Sequence, residues 1–240
     1  MDWYNLLPDP TTGTAHVFLR DDIGCGGKSS GDLGRELAAL SPKRIELQID
    51  SSGGSTITGL NLFEIFNRYE TAVTITGKCH SAALTAAMGG RSRRILPTGK
   101  ILVHSPTYYI NGTLEELLGA AIELEKLKAF VLQILCERTK QPATTVFDWL
   151  ARDTWFDAKD ALAVGLVDAI TEPLPVVPAA RRLEANASAP AVASVTETES
   201  EKLFHDWLAA FGRIEVANRS KFARDLFSWA TFNTDEITEP

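Results

Sequence analysis

Thr71-Ala72-Val73-Thr74-Ile75-Thr76-Gly77-Lys78-Cys79-His80-Ser81-Ala82-Ala83 is the stretch that decides the fold. Residues 71–76 are mostly β-branched and read as a strand. Gly77 breaks the run, and from Ser81 small residues continue to Gly89-Gly90, which reads as a helix over residues 81–88. A strand passing through a tight turn into a helix is a building unit of a parallel α/β layer. It also sets a hydroxyl at a helix N-terminus, where backbone N–H groups and the helix dipole favour negative charge. That suits an attacking serine and the oxyanion it generates. Local sequence alone would equally allow Ser81 to be an ordinary helix cap.

Working towards the N-terminus, Ile45, Leu47 and Ile49 alternate along a strand over residues 44–49. Gly53-Gly54 turns the chain into a helix over residues 55–69, with Leu60, Phe63 and Phe66 on one side. Glycines there permit φ > 0 and a close backbone approach, although a plain tight turn would use them too. An earlier strand covers residues 15–20, and a helix lies near residues 31–40, with Ser30 or Asp32 as its cap and Pro42 as its stop. Residues 1–13 read as an arm with a turn at residues 8–13.

Working towards the C-terminus, residues 95–103 are apolar β-structure broken at Pro97-Thr98-Gly99 and ending at His104. Asn111-Gly112-Thr113 supplies turn and cap for a long helix over residues 113–138, and Glu115 and Glu116 complement its N-terminal dipole. Short helices over residues 144–150 and 158–164 follow, Gly165 stops the second, and residues 166–170 return to a strand. Such alternation implies parallel strands with crossover helices.

Ser81, His104 and Asp153 occur in one possible order for a catalytic triad, and triads are recognised by geometry, not order. Asp148 and Asp157 compete with Asp153, but Asp157 stands where a helix cap is expected. Cys79 reads as a buried small hydrophobe. His80 is adjacent to Ser81, so its side chain points elsewhere and flanks the substrate groove. Lys78 is too close in the chain to Ser81 to be an obvious base.

Four segments carry a family resemblance. Ile49-Asp50-Ser51-Ser52-Gly53-Gly54-Ser55, residues 77–83, Val103-His104-Ser105-Pro106, and Arg152-Asp153 with residues 158–168 resemble, in that order, the motifs of Clp-type serine peptidases. His-Val-Phe-Leu-Arg-Asp-Asp-Ile-Gly at residues 16–24 resembles the first strand of the phage head maturation (prohead) proteases of that superfamily. The resemblance covers roughly residues 15–170. It implies an α/β crotonase-like Clp-protease fold with repeated ββα units and a handle helix over residues 113–138. It implies Ser81 as nucleophile, His104 as general base, Asp153 as orienting acid, and the N–H groups of Gly54 and Ala82 as oxyanion hole. It also implies a polypeptide substrate, ring assembly, no cofactor or metal, and cleavage of capsid or scaffold proteins in phage head maturation.

The chain departs from the pattern in places. Ser52 stands for a family proline and Asp50 for an asparagine, and residues 107–111 lack the glycines of the strand that joins two rings. The N-terminal arm is unlike the family's gating loop. A non-catalytic ring-forming relative, a crotonase-like acyl-CoA enzyme and a signal peptide peptidase relative are the alternatives; the last uses Ser with Lys.

Composition bounds the rest. The net charge of −7 argues against a nucleic-acid or anionic-membrane surface. The cluster Arg91-Ser92-Arg93-Arg94 reads as a solvated turn or subunit contact. Three cysteines, an odd number without Cys-x-x-Cys, fit reduced thiols in a cytoplasmic compartment. No apolar run approaches the roughly 20 residues that span a bilayer, and neither metal-ligand spacing nor a glycine-rich phosphate loop is found. Residues 1–171 read as the peptidase domain. Residues 172–200, rich in Pro, Ala, Ser, Thr and Glu, read as a flexible linker. Residues 201–240, with Phe204, Trp207, Leu208 and Phe211 at helical spacing, read as a short helical module that docks a neighbouring subunit or capsid component.

Overall fold

The computed structural model describes residues 2–172; the linker beyond Glu172 and the helical module lie outside the described residues. One eight-stranded sheet organises the described chain. Strand β1 (Tyr4–Asp9) pairs antiparallel with β2 (Thr14–Ile23). Parallel pairing then continues through β3 (Arg44–Gly54), β4 (Thr71–His80), β5 (Ser92–Ile95) and β8 (Ala169–Ile170). Helices α1 (Ser30–Leu40), α2 (Thr56–Asn67) and α3 (Ala82–Ala87) provide the crossovers. A mixed α/β layer with parallel strands is therefore found as expected.

The core lies between sheet and helices. Val17, Leu19, Ile45, Leu47, Ile49, Val73 and Ile75 from the strands meet Leu60, Leu62 and Phe66 from α2, all essentially inaccessible to solvent. At about 1.5–3 kcal/mol for each fully buried aliphatic or aromatic side chain, this face outweighs any local propensity. Gly59 of α2 lets α3 approach closely, since a Cβ there would stand 2.9 Å from that of Ala82.

Several boundaries differ from the sequence reading, each for a tertiary reason. The N-terminal arm is strand β1, pinned by buried Trp3 and Tyr4; Trp3 Nε1 donates to the Lys28 carbonyl at 2.8 Å. Pro8 is tolerated because β1 is an edge strand. Helix α1 is capped by Ser29, not Ser30 or Asp32; Asp32 closes the capping box by accepting the Ser29 N–H at 2.7 Å. Strand β4 does not end at Gly77. It changes partner there, pairing with β5 through residues 72–75 and with β6 (Lys100–Val103) through residues 78–80. Gly77 is needed because Asp50 fills its α-face: a Cβ would meet Asp50 Oδ1 at 2.3 Å, and the same oxygen accepts the Lys78 N–H at 2.9 Å.

Helix α4 (Leu114–Thr139) is capped by Thr113 with Glu116 completing the box. Its first half exposes Leu114, Leu118 and Ile122, whereas its second half buries Val131, Leu132 and Leu135. Helix α5 (Ala143–Ala151) leads into β7 (Thr154–Phe156), a three-residue strand that the sequence reading missed. Helix α6 (Ala158–Ala163) follows, capped by Asp157. Strand β8 is shorter than the expected 166–170 because the Leu166 and Val167 N–H groups both donate back to the Ala161 carbonyl, in the turn that closes α6. Among the described residues, no helix is long and apolar enough to cross a membrane.

Candidate active site

Ser81 sits where β4 ends and α3 begins, with φ 54° and ψ −123°. A non-glycine residue at positive φ costs on the order of 1–3 kcal/mol and persists only where its surroundings over-determine it. They do so here. The Ser81 N–H donates to the Leu102 carbonyl at 3.1 Å, and its own carbonyl accepts from Leu84 and Thr85 at 3.0 and 3.2 Å. Every residue of α3 is buried. The side chain makes no cap hydrogen bond, so the hydroxyl is not spent on the helix.

Gly53 closes the corner from above, with φ +96°. A Cβ on it would lie 2.6 Å from the His80 carbonyl oxygen, 2.8 Å from Ser81 Cβ and 3.2 Å from the Ala82 nitrogen. The glycine pair thus lets one backbone press against another, and a plain turn would not require it. The Gly53 N–H is occupied by Ser51 Oγ at 3.1 Å. Ser55 donates to the Ile23 carbonyl at 2.9 Å. Ala82 opens α3 beside the serine.

His104 follows β6 directly and is half-buried. The next residue anchors the loop: Ser105 donates to the Leu150 carbonyl through both its N–H, at 2.9 Å, and its Oγ, at 3.0 Å. Ser81 and His104 line one cleft with Thr56, Leu84, Pro106, Val131 and Leu150. The cleft is therefore walled by α2, α3, α4 and α5 and is largely apolar.

Asp153 lies just beyond α5 with φ 50° and is exposed. It does not line the cleft. Strands β6 and β7 pair antiparallel with Val103 opposite Thr154. His104 follows Val103 and Asp153 precedes Thr154, so the two flank the last pair of that ladder. Sequence order thus becomes neighbourhood, but among the described residues no hydrogen bond joins His104 to Ser81 or to Asp153.

The competitors are accounted for structurally. Asp157 accepts the N–H groups of Lys159 and Asp160 at 2.8 and 2.9 Å, and those bonds, that of Asp160 foremost, lower its carboxyl pKa. Asp148 faces Arg152 at 4.0 Å. Cys79 is fully buried, and burial pushes its thiol far up, away from the thiolate a nucleophile needs. Lys78 is exposed. His80 packs edge-on to Trp155, ring centroids 4.9 Å apart, and burial, followed by the charges of Lys78 and His104, lowers its pKa. The sequence reading passed over Trp155; its signal was an aromatic two residues from the candidate acid.

Comparison with known proteins bears on the family and the fold. The family model for Clp protease matches residues 13–173. The chain is 32% identical over 128 residues to an ATP-dependent Clp protease proteolytic subunit of Ostreococcus tauri, covering 52% of this chain and 64% of that protein. It is 32% identical over 139 residues to the ATP-dependent Clp protease proteolytic subunit 3 of Rhodococcus jostii (strain RHA1), covering 56% and 69%. It thus spans about two thirds of the length of these relatives. A mutant of ClpP1 from Listeria monocytogenes has the same fold, with TM-score 0.59 at 22% identity, over 68% of this chain and 93% of that one.

Proposed function

The chain belongs to the Clp protease family, and on that premise we propose that it is a serine endopeptidase acting on polypeptides through an acyl-enzyme. Ser81 Oγ attacks the scissile carbonyl carbon while His104 takes the hydroxyl proton. The oxyanion is held by the N–H groups of Gly54 and Ala82. The carbon–nitrogen bond then breaks as His104 returns the proton to the leaving amine. Water, deprotonated by His104, attacks the acyl carbon and releases the acid, restoring Ser81. Asp153 orients the imidazole and stabilises its charged form.

One observation carries the reading: Ser81 holds a strained, fully anchored backbone with its hydroxyl beside a cleft that His104 shares. Strain of this kind has no structural use in a mere cap. A fluorophosphonate probe followed by mass spectrometry tests it. Modification of Ser81, abolished in Ser81→Ala, is the expected result. Absence of labelling in the wild type would overturn it.

The finer role we propose is cleavage of capsid or scaffold proteins in phage head maturation, by a homo-oligomeric ring in the cytoplasm of a bacterium or phage-infected host. The likeness of residues 16–24 to the phage enzymes supports it. Processing of a co-expressed capsid precursor, lost in Ser81→Ala, is the check. A second reading, a non-catalytic ring member, draws on the unclosed His104–Asp153 pair. The labelling experiment decides between the two.

A further inference from the structure

Strand register aligns a second group of residues beside the candidate triad. His80 of β4 pairs with Leu102 of β6, and Leu102 pairs with Trp155 of β7. Residues opposed across a sheet lie on one face. Leu102 and His104, two residues apart, line the same cleft, and Trp155 stands two residues from Asp153. Cys79, Ile101 and Phe156 form the matching row on the other face, and all three are buried in the core.

The His80–Leu102–Trp155 row is of a different kind. Trp155 is 58% exposed, among the largest apolar surfaces of the described chain. It is nevertheless held: the His80 ring meets it edge-on at 4.9 Å and 79°. His80 Nε2 is buried and has no hydrogen-bond partner among the described residues. Packing on Trp155, not a polar contact at Nε2, therefore accompanies that ring's orientation. A rigid, exposed indole offers much contact area at little conformational cost.

Its position fixes what it would contact. The cleft shared by Ser81 and His104 is also lined by Leu102, so the His80–Leu102–Trp155 row borders it. The general base must hand its proton to the leaving amine, so the chain beyond the scissile bond passes on the histidine's side. Trp155 neighbours His104 on that side through the β6–β7 register.

We propose that Trp155, braced by His80, is a specificity-determining platform for the leaving-group side of the substrate, taking an apolar and preferably aromatic side chain one or two residues after the scissile bond. The inference rests on the peptidase reading.

The experiment uses the full chain and internally quenched peptides that differ only in the residues after the scissile bond, Phe against Ala. Wild type should favour the Phe series in kcat/KM, through KM. Trp155→Ala should cut that preference about tenfold, the effect of losing roughly 1.4 kcal/mol of contact. Trp155→Phe should restore most of it, and His80→Ala should lower it part way. Fluorophosphonate labelling of Ser81, which involves no leaving-group residue, should proceed equally in wild type and Trp155→Ala. A labelled wild type without the preference, or a preference unchanged in Trp155→Ala, would overturn the platform and leave the peptidase reading intact. An unlabelled wild type would overturn both.

Discussion

Ser81 and Asp153 both hold left-handed backbones, at φ 54° and 50°, yet the molecule treats them differently. Around Ser81, the N–H and carbonyl are both bonded, α3 is wholly buried, and Gly53 presses on the corner. Asp153 stands exposed between the end of α5 and a three-residue strand. The position of Ser81, the proposed nucleophile, is a consequence of folding: moving it would disrupt the core. The position of Asp153, the proposed acid, rests on the exposed turn between α5 and β7. On the proposed peptidase reading, the attacking end of the site is anchored in the core and the orienting end stands at the surface.

The widest separation between the two ends should appear in catalysis. Ser81→Ala should abolish peptide hydrolysis, by as much as about 10⁶-fold in kcat, and His104→Ala should cost nearly as much because such groups act as a unit. Asp153→Asn should leave more behind, with a loss of up to about 10⁴-fold. Steady-state assays on purified variants check this. Equal losses at Asp153 and Ser81 would mean that the exposed acid is as deeply committed as the serine.

Stability should show the same contrast. Gly53→Ala places a methyl against the His80 carbonyl and Ser81 Cβ at a φ of +96°. Combined strain and overpacking should destabilise the fold by about 3 kcal/mol. Asp153→Ala, at an exposed position, should stay within about 0.5 kcal/mol of wild type. Urea denaturation compares the two directly. A Gly53→Ala variant as stable as wild type would show that the serine corner is looser than its hydrogen bonds indicate.

The same contrast explains what could be read from sequence. The serine corner is built from local signals: a β-branched run, a glycine pair, then small residues, each implying its conformation without knowledge of distant contacts. Helix α4 was equally legible, since Thr113 and Glu116 cap it within four residues. What escaped depends on partners far along the chain. Strand β4 runs past Gly77 because β6 pairs with it and Asp50 fills the glycine's face. Strand β1 exists because β2 offers an edge, and β7 because β6 does. Asp153 was picked out by motif, but its exposure, and the indole two residues on, are properties of that long-range register. The residues beyond Glu172 remain a reading of composition alone.

The smallest expected effect concerns His80, whose pKa is lowered chiefly by burial, then by the charges of Lys78 and His104, with Asp50 acting in the opposite sense. A histidine with a lowered folded pKa binds fewer protons when folded than when unfolded. Between the two pKa values the unfolded chain takes up the extra proton, so stability rises with pH. This contribution is fully present above the ordinary imidazole value near 6.5 and declines as the pH falls towards the lowered one. Because the side chain is partly exposed, solvent screening keeps it below about 1 kcal/mol. Chemical denaturation of wild type at pH 7 and pH 5 should therefore show a loss, and His80→Gln should remove part of it while leaving the remaining acid sensitivity in place. His80 belongs to the serine end of the site, one residue from Ser81 and in contact with the residue two beyond Asp153. If His80→Gln left the pH dependence of stability unchanged, the imidazole would be as open to water as Asp153 is, and the anchored end of the site would have to be drawn more narrowly, around Ser81 and Gly53 alone.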